Sequence, residues 1–183
     1  LEFRRVLFRS RIELGGVSRE LRLFEVAPGV RIAVFNMLGD TEIVEKSAEL
    51  LMNRLRDVEF GQFVTPEAKS IPLAHEMARI SGKGYVVLRK THKVYMGEAL
   101  EVETVSITTG EPQRLYLDEK DRQALEGGRV VLVDDVISTG STLEGMRQLM
   151  SKAGATIAAE AAVFTEGEAE QWSSIIALAH LPI

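Results

Sequence analysis

Apolar residues recur along this chain at two periods, and the switches between them divide it into alternating strands and helices. Val30–Phe35 (VRIAVF) is a β-branched and aromatic run after Pro28-Gly29 and predicts a strand. Asp40-Thr41 then offers a helix N-cap, and Val44, Ala48, Leu51, Leu55 and Val58 follow at helical spacing on one face. Phe60–Thr65 is a short strand that stops at Pro66. A loop over Pro66–Ser70 leads to a second helix, with Pro72 in its first turn, Leu73 and Met77 on one face, and an end at Gly82.

Tyr85–Leu88 predicts the next strand, followed at once by the basic cluster Arg89-Lys90-Thr91-His92-Lys93. Glu101–Ile107 and Gln113–Leu117 are rich in β-formers and flank Thr108-Thr109-Gly110-Glu111-Pro112, the pattern of a hairpin with a glycine turn. Arg129–Val133 carries the continuous apolar run Val130–Val133, as in a strand buried on both faces. Leu143, Met146, Leu149, Met150 and Ala153 mark a helix with Gly154 at its end, and Thr156–Phe164 is a further central strand. Strands alternating with helices imply one α/β domain around a mostly parallel, twisted sheet with right-handed crossovers. Ligands of such sheets sit at the carboxyl ends of the strands, where Lys69, Arg89, Lys90 and the segment after Val133 all fall.

Composition narrows the function classes. The 183 residues are 45% hydrophobic and 27% charged, with mean hydropathy near zero, which suits one globular domain. No apolar run approaches the ~20 residues of a membrane helix. There is no cysteine, which excludes disulfides and thiolate metal sites. These features together point to the cytoplasm and away from membranes. A net charge of −5 argues against nucleic acid as a partner. The basic cluster is the exception: it reads either as a solvated loop or as a site for a small polyanion. Residues 1–10, LEFRRVLFRS, mix three arginines with aromatics and leucines without a period. They read as adapter-like sequence joined to a domain at 11–183.

The chemistry concentrates in Val130–Thr142, VVLVDDVISTGST. Four apolar residues end a strand and deliver Asp134 and Asp135 to its carboxyl edge. The turn Val136-Ile137-Ser138-Thr139-Gly140 follows, and Ser141-Thr142 start a helix. Gly140 lets the backbone approach a ligand, the hydroxyls supply donors, and the unpaired N–H groups of the new helix point into the turn. That arrangement binds a phosphate monoester. The two carboxylates would repel the phosphate, and they suit hydroxyls attached to it, as on ribose 5-phosphate. No G-x-x-x-x-G-K-[ST] loop occurs, and three scattered histidines, His75, His92 and His180, make no metal site.

All thirteen positions of this segment resemble the 5-phosphoribosyl-1-diphosphate (PRPP) motif of type I phosphoribosyltransferases: a hydrophobic strand, two acidic residues, then a T-G-[GS]-T-like loop. The order of elements from about Gly29 to Ile183 extends the likeness. Pro28-Gly29 through Phe35, the basic pair after a strand, the hairpin and the Leu181-Pro182 ending look most like adenine phosphoribosyltransferases and their purine relatives. The family's fold would give a small N-terminal hood over about 11–40, a core over about 41–183, and a homodimer.

The resemblance implies roles. Asp134 and Asp135 would hold the ribose hydroxyls. Val136, Ile137, Ser138, Thr139, Gly140, Ser141 and Thr142 would cradle the 5-phosphate. Glu67-Ala68-Lys69-Ser70 aligns with a loop that contacts pyrophosphate, often through a cis peptide. Lys69, Ser70, Arg89, Lys90 and Lys93 would bind pyrophosphate. The hairpin would close over the reacting centre, and Glu111 is either an acid or base for the purine or an exposed turn glutamate. Val34, Phe35 and Asn36 are the base-binding candidates, with Phe35 alternatively a core residue. Mg²⁺ would be held chiefly by PRPP and water, with Asp134 or Asp135 as a protein ligand. One departure stands out: adenine enzymes carry a Ser/Arg-Gly-Phe-like run where this chain has Ala68-Lys69-Ser70-Ile71-Pro72.

The favoured reading is a Mg²⁺-dependent purine phosphoribosyltransferase, converting adenine and PRPP to AMP and pyrophosphate through an oxocarbenium-like transition state. Two alternatives stay open. One is a PRPP-sensing transcriptional regulator of the same fold, although the stretch before Val30 leaves no room for a DNA-binding domain unless the first ten residues replaced it. The other is a transferase acting on xanthine or orotate.

Overall fold

Five parallel strands form the centre of the molecule, in the order β10-β9-β8-β4-β5. They are β4 (Gln62–Pro66), β5 (Gly84–Leu88), β8 (Arg129–Ile137), β9 (Thr156–Glu166) and β10 (Ile176–Leu181). The computed structural model describes residues 9–27, 30–105 and 112–181. The fold class is α/β, as the alternation of periods implies.

Both faces of the sheet are covered, and the pleat decides which residue faces which layer. On β8, Val131 and Val133 join a cluster with Phe63, Leu51, Leu73 and Met77 beneath α1 (Thr41–Arg54) and α2 (Ile71–Ser81). Val130 and Leu132 join the opposite cluster with Val64, Met146 and Leu149 beneath α4 (Ser141–Ala153). The four β8 residues are at most 1% exposed. At about 1.5–3 kcal/mol for each fully buried side chain, this strand is anchored firmly enough to hold two carboxylates at its end.

The helix signals act where the sequence places them. The Asp40 side chain accepts the Ile43 N–H at 3.3 Å, capping α1. Pro72 lies in the first turn of α2, and Gly82 ends it. α1 stops at Arg54, so the apolar spacing that runs on to Val58 outlasts the helix: Leu55 is its C-cap, and Val58 packs from the following turn.

Three strands lie apart from the parallel sheet. β1 (Arg9–Leu14), β2 (Val17–Ala27) and β3 (Val30–Val34) form an antiparallel sheet. The predicted Val30–Phe35 strand therefore belongs to this antiparallel sheet, not to the central alternation. Gly15 and Gly16, at φ 54° and 88°, make the two-residue turn between β1 and β2. Both positions need positive φ in such a hairpin, and the pair supplies it without strain. Ile12, Leu14, Val17 and Leu21 face the α1 side of the core. β1 begins at Arg9, so the last two of the first ten residues pair with Arg22 and Leu21.

The predicted hairpin forms as β6 (Leu100–Val105) and β7 (Pro112–Leu117), antiparallel and packed on α4. Its turn, including Thr108, Gly110 and Glu111, lies outside the described residues. A short helix, α3 (Glu119–Leu125), follows, with Asp118 as its cap.

Candidate functional site

The predicted phosphate-loop segment starts inside β8. The strand runs to Ile137, so Asp134, Asp135, Val136 and Ile137 are strand residues and the turn proper is only 138–140. This differs from the longer turn expected from sequence, because Val136 and Ile137 continue the pairing with Phe164 and Thr165 of β9. Gly140 takes φ 78° and N-caps α4 without any side-chain cap. The first N–H groups of α4 therefore keep most of their capacity to donate. They border a pocket of about 90 Å³ lined by Asp134, residues 136–140, Thr142 and Leu143. One water needs only ~10–15 Å³, so a tetrahedral oxyanion has room.

Asp134 and Asp135 sit side by side at this mouth. Asp135 is 7% exposed and Asp134 is half-buried. The Asp135 N–H donates to Asp134 Oδ1 at 2.8 Å. Burial, and then the neighbouring Asp135 carboxylate, push Asp134 up to about 8. Asp135 Oδ2 is buried without a hydrogen-bond partner, and Lys69 Nζ stands 3.9 Å away. A buried carboxylate oxygen left unsatisfied costs stability, and a ligand hydroxyl or a cation would complete it.

The second wall is the loop after β4. The Glu67–Ala68 peptide is cis, the feature that the family resemblance associates with this loop. Ser70 is 1% exposed; its hydroxyl donates to the Pro66 carbonyl at 3.2 Å and accepts from Thr65 Oγ1 at 2.9 Å. Its side chain is thus engaged within the loop, while Lys69 is half exposed and reaches toward Asp135.

The end of β5 carries the cations. Arg89 pairs with Tyr116 of β7 through both backbone groups, at 2.9 and 2.8 Å. Its Nε lies 2.6 Å from Glu67 Oε2, close enough for an ion pair but off-line for a hydrogen bond. Glu67 Oε1 accepts the Lys90 N–H at 2.6 Å. Glu67 thus ties the two predicted pyrophosphate-binding segments together. In the sequence Glu67 stands only as part of the loop, because the contact spans 22–23 positions. Lys90 and Lys93 are exposed, and His92 stacks edge-on to Tyr116 at 5.6 Å.

Phe35 is 4% exposed, and its ring meets Phe164 edge-on at 4.9 Å, so it packs in the core. Val34 is 37% exposed. Both border a pocket of about 340 Å³ that also touches Phe24 and Asn36. His75 lies exposed against Tyr85, and His180 Nδ1 is 3.0 Å from Thr165 Oγ1. Neither sits with the aspartates. Trp172, which no sequence pattern singles out, packs directly on Gly140 from a 3-10 turn, Ala169–Trp172.

A family model described as a phosphoribosyl transferase domain matches residues 36–176. The purine biosynthesis transcriptional repressor PurR of Bacillus subtilis is 26% identical over 133 residues, 73% of this chain and 46% of the repressor. The adenine phosphoribosyltransferase of Clostridium botulinum is 29% identical over 144 residues, 77% of this chain and 81% of that enzyme. The chain spans about half the length of the curated regulators it matches. The crystal structure of adenine phosphoribosyltransferase from Thermoanaerobacter pseudethanolicus superposes with a TM-score of 0.73 at 25% identity, covering 88% of this chain and 95% of that one.

Proposed function

This chain belongs to the phosphoribosyltransferase family, and from that premise we propose that it transfers the phosphoribosyl group of PRPP to a purine base, adenine first, releasing pyrophosphate. One observation carries the reading. Two adjacent carboxylates at the end of β8 stand beside an uncapped, N–H-lined pocket, which together suit a phosphate ester bearing vicinal hydroxyls. The adenine assignment is supported by the relative from Clostridium botulinum and by the 25%-identical structural neighbour, both adenine phosphoribosyltransferases.

The mechanism follows from charge. Residues 138–142 take the 5-phosphate, and Asp134 and Asp135 accept the ribose hydroxyls. The C1–O bond to pyrophosphate breaks with its electron pair leaving on oxygen, and positive charge builds on the ribosyl carbon and ring oxygen. The aspartate pair lies near that charge, while Lys69, Arg89 and Lys90 face the anionic leaving group. The base nitrogen then bonds to C1 and gives up its proton. Val34 and Phe35 border the pocket assigned to the base, with Val34 supplying the exposed apolar wall and Phe35 backing it from the core. Glu111 is the candidate acceptor for the purine proton. No protein nucleophile is required.

Mg²⁺ fits this donor set. Asp135 Oδ2 is a buried hard oxygen without a hydrogen-bond partner. Among the described residues no group of three or more His, Cys, Asp or Glu could hold a metal ion, so substrate oxygens and water would complete the shell. When bound there, Mg²⁺ would neutralise charge on the departing pyrophosphate, with Asp134 or Asp135 as its protein ligand. We place the working protein in the cytoplasm, where a phosphorylated donor of this charge is retained, and as a homodimer. Exposed Val94 and Tyr95 beside the basic cluster are the surface that favours association.

The similarity to purine regulators favours a second reading, a PRPP-binding module that controls transcription. Pyrophosphate release from PRPP and Mg²⁺ with single bases separates the two. Base-dependent release supports the transferase; tight PRPP binding without release for any base supports the regulator.

A further inference from the structure

The phosphate loop has little bracing of its own. No side-chain hydrogen bond caps α4, and among the described residues the turn itself holds only a Thr139–Ser141 hydroxyl contact at 3.1 Å and a long Ser141 N–H to Thr139 Oγ1 contact at 3.4 Å. Support comes from behind. A Cβ built on Gly140 would lie 2.7 Å from Trp172 Cη2 and 3.3 Å from Cζ3, so the six-membered ring of the indole closes directly on this glycine. The ring cannot drift away, because Trp172 Nε1 donates to the Glu166 carbonyl at 2.7 Å, at the carboxyl end of β9. Trp172 is 8% exposed and packs in the cluster that includes Ile137 and Leu143, the residues flanking the turn. It does not line the pocket itself. The indole therefore shapes the loop while leaving the pocket-facing N–H groups unspent.

We propose that Trp172 is a positioning residue for the phosphate loop: it fixes the curvature of residues 138–140, so that the loop is already formed when the 5-phosphate arrives. This rests on the reading that residues 138–142 take the 5-phosphate. A loop that must order itself on binding loses affinity for the group it holds, whereas a distant subsite is unaffected. The effect is therefore specific to one end of the donor.

The test is calorimetric titration of the full chain with two probes, ribose 5-phosphate and Mg²⁺-pyrophosphate. Wild type binds both. Trp172→Ala weakens ribose 5-phosphate by at least about tenfold, as a support shell left loose by a fraction of an ångström would. Pyrophosphate binding stays within about twofold, since its cations sit on other elements. Trp172→Phe keeps an aromatic body in the packed position and falls between wild type and Trp172→Ala; it carries the test alone if the alanine variant does not fold. Ribose 5-phosphate affinity unchanged in both variants overturns the role of Trp172 and leaves the proposed function standing. Equal loss of both ligands also overturns it, marking a general packing role. Wild type that binds neither probe contradicts the proposed function itself.

Discussion

The carboxylate of Glu67 bridges Arg89 and its neighbour, with Oε2 at 2.6 Å from Arg89 Nε and Oε1 at 2.6 Å from the Lys90 N–H. The guanidinium is held by its Nε edge, which leaves its two Nη groups as the donors toward an anion. Its backbone is pinned from the other side by Tyr116 of the hairpin arm. Arg89 is thus fixed between the loop after β4 and the hairpin that the family resemblance assigns to closure.

Arg89→Gln should accordingly raise KM for PRPP by about 10–100-fold, since hydrogen bonds to charged groups contribute about 1.5–3 kcal/mol. Ribose 5-phosphate binding should stay unchanged, because the phosphate loop is on β8 and α4. Steady-state kinetics with a parallel ribose 5-phosphate titration checks both. Equal weakening of the two ligands would show that Arg89 does not act on pyrophosphate.

Gly140 combines φ 78° with an indole at its back. Gly140→Ala should destabilise the protein by at least about 1–2 kcal/mol from the left-handed backbone alone. The methyl group must also displace the Trp172 ring. A fall of several degrees in Tm is expected, at about 2–4 °C per kcal/mol for a chain of this size, together with weaker ribose 5-phosphate binding. A variant with wild-type Tm and affinity would refute the close approach.

Asp134 gives a pH signature. Its unfolded carboxyl titrates near ~3.9, whereas burial and Asp135 hold it up to about 8 in the folded protein. Between those values the unfolded chain has released this proton and the folded one keeps it. Its contribution to stability is therefore complete below about pH 4, declines as pH rises, and is lost above about pH 8. Asp134→Asn cannot ionise, so its Tm should match wild type near pH 4 and exceed it near pH 8.5. Thermal melts across this range decide the point, and a variant that melts below wild type at pH 8.5 would contradict it.

Much of this was legible in the sequence where one segment carries its own signals. The run Val130–Val133, two aspartates and a Ser/Thr/Gly turn specify strand, carboxyl edge and helix start within thirteen residues, and the structure keeps that order. Pro72 and Gly82 likewise bound α2. What stayed hidden has physical reasons. α3 buries Leu125 alone, too little for a helical period to show. β1 and β2 present one face to solvent, and their charged residues mask the alternation beneath. The Glu67–Arg89 and Gly140–Trp172 contacts join positions 22 and 32 residues apart, and no local pattern announces such pairs.

The central claim is that the aspartate pair and the loop after it hold a phosphoribosyl donor for transfer to a purine. The most direct measurement is chromatographic detection of AMP formed from adenine, PRPP and Mg²⁺, by wild type and by Asp135→Asn. The account predicts AMP in equal amount to released pyrophosphate, and a loss of about a hundredfold or more in the variant without loss of fold, as expected when a charged hydrogen-bond acceptor is removed from the reacting sugar. It is contradicted if wild type binds PRPP yet forms no nucleotide from adenine or from any other purine.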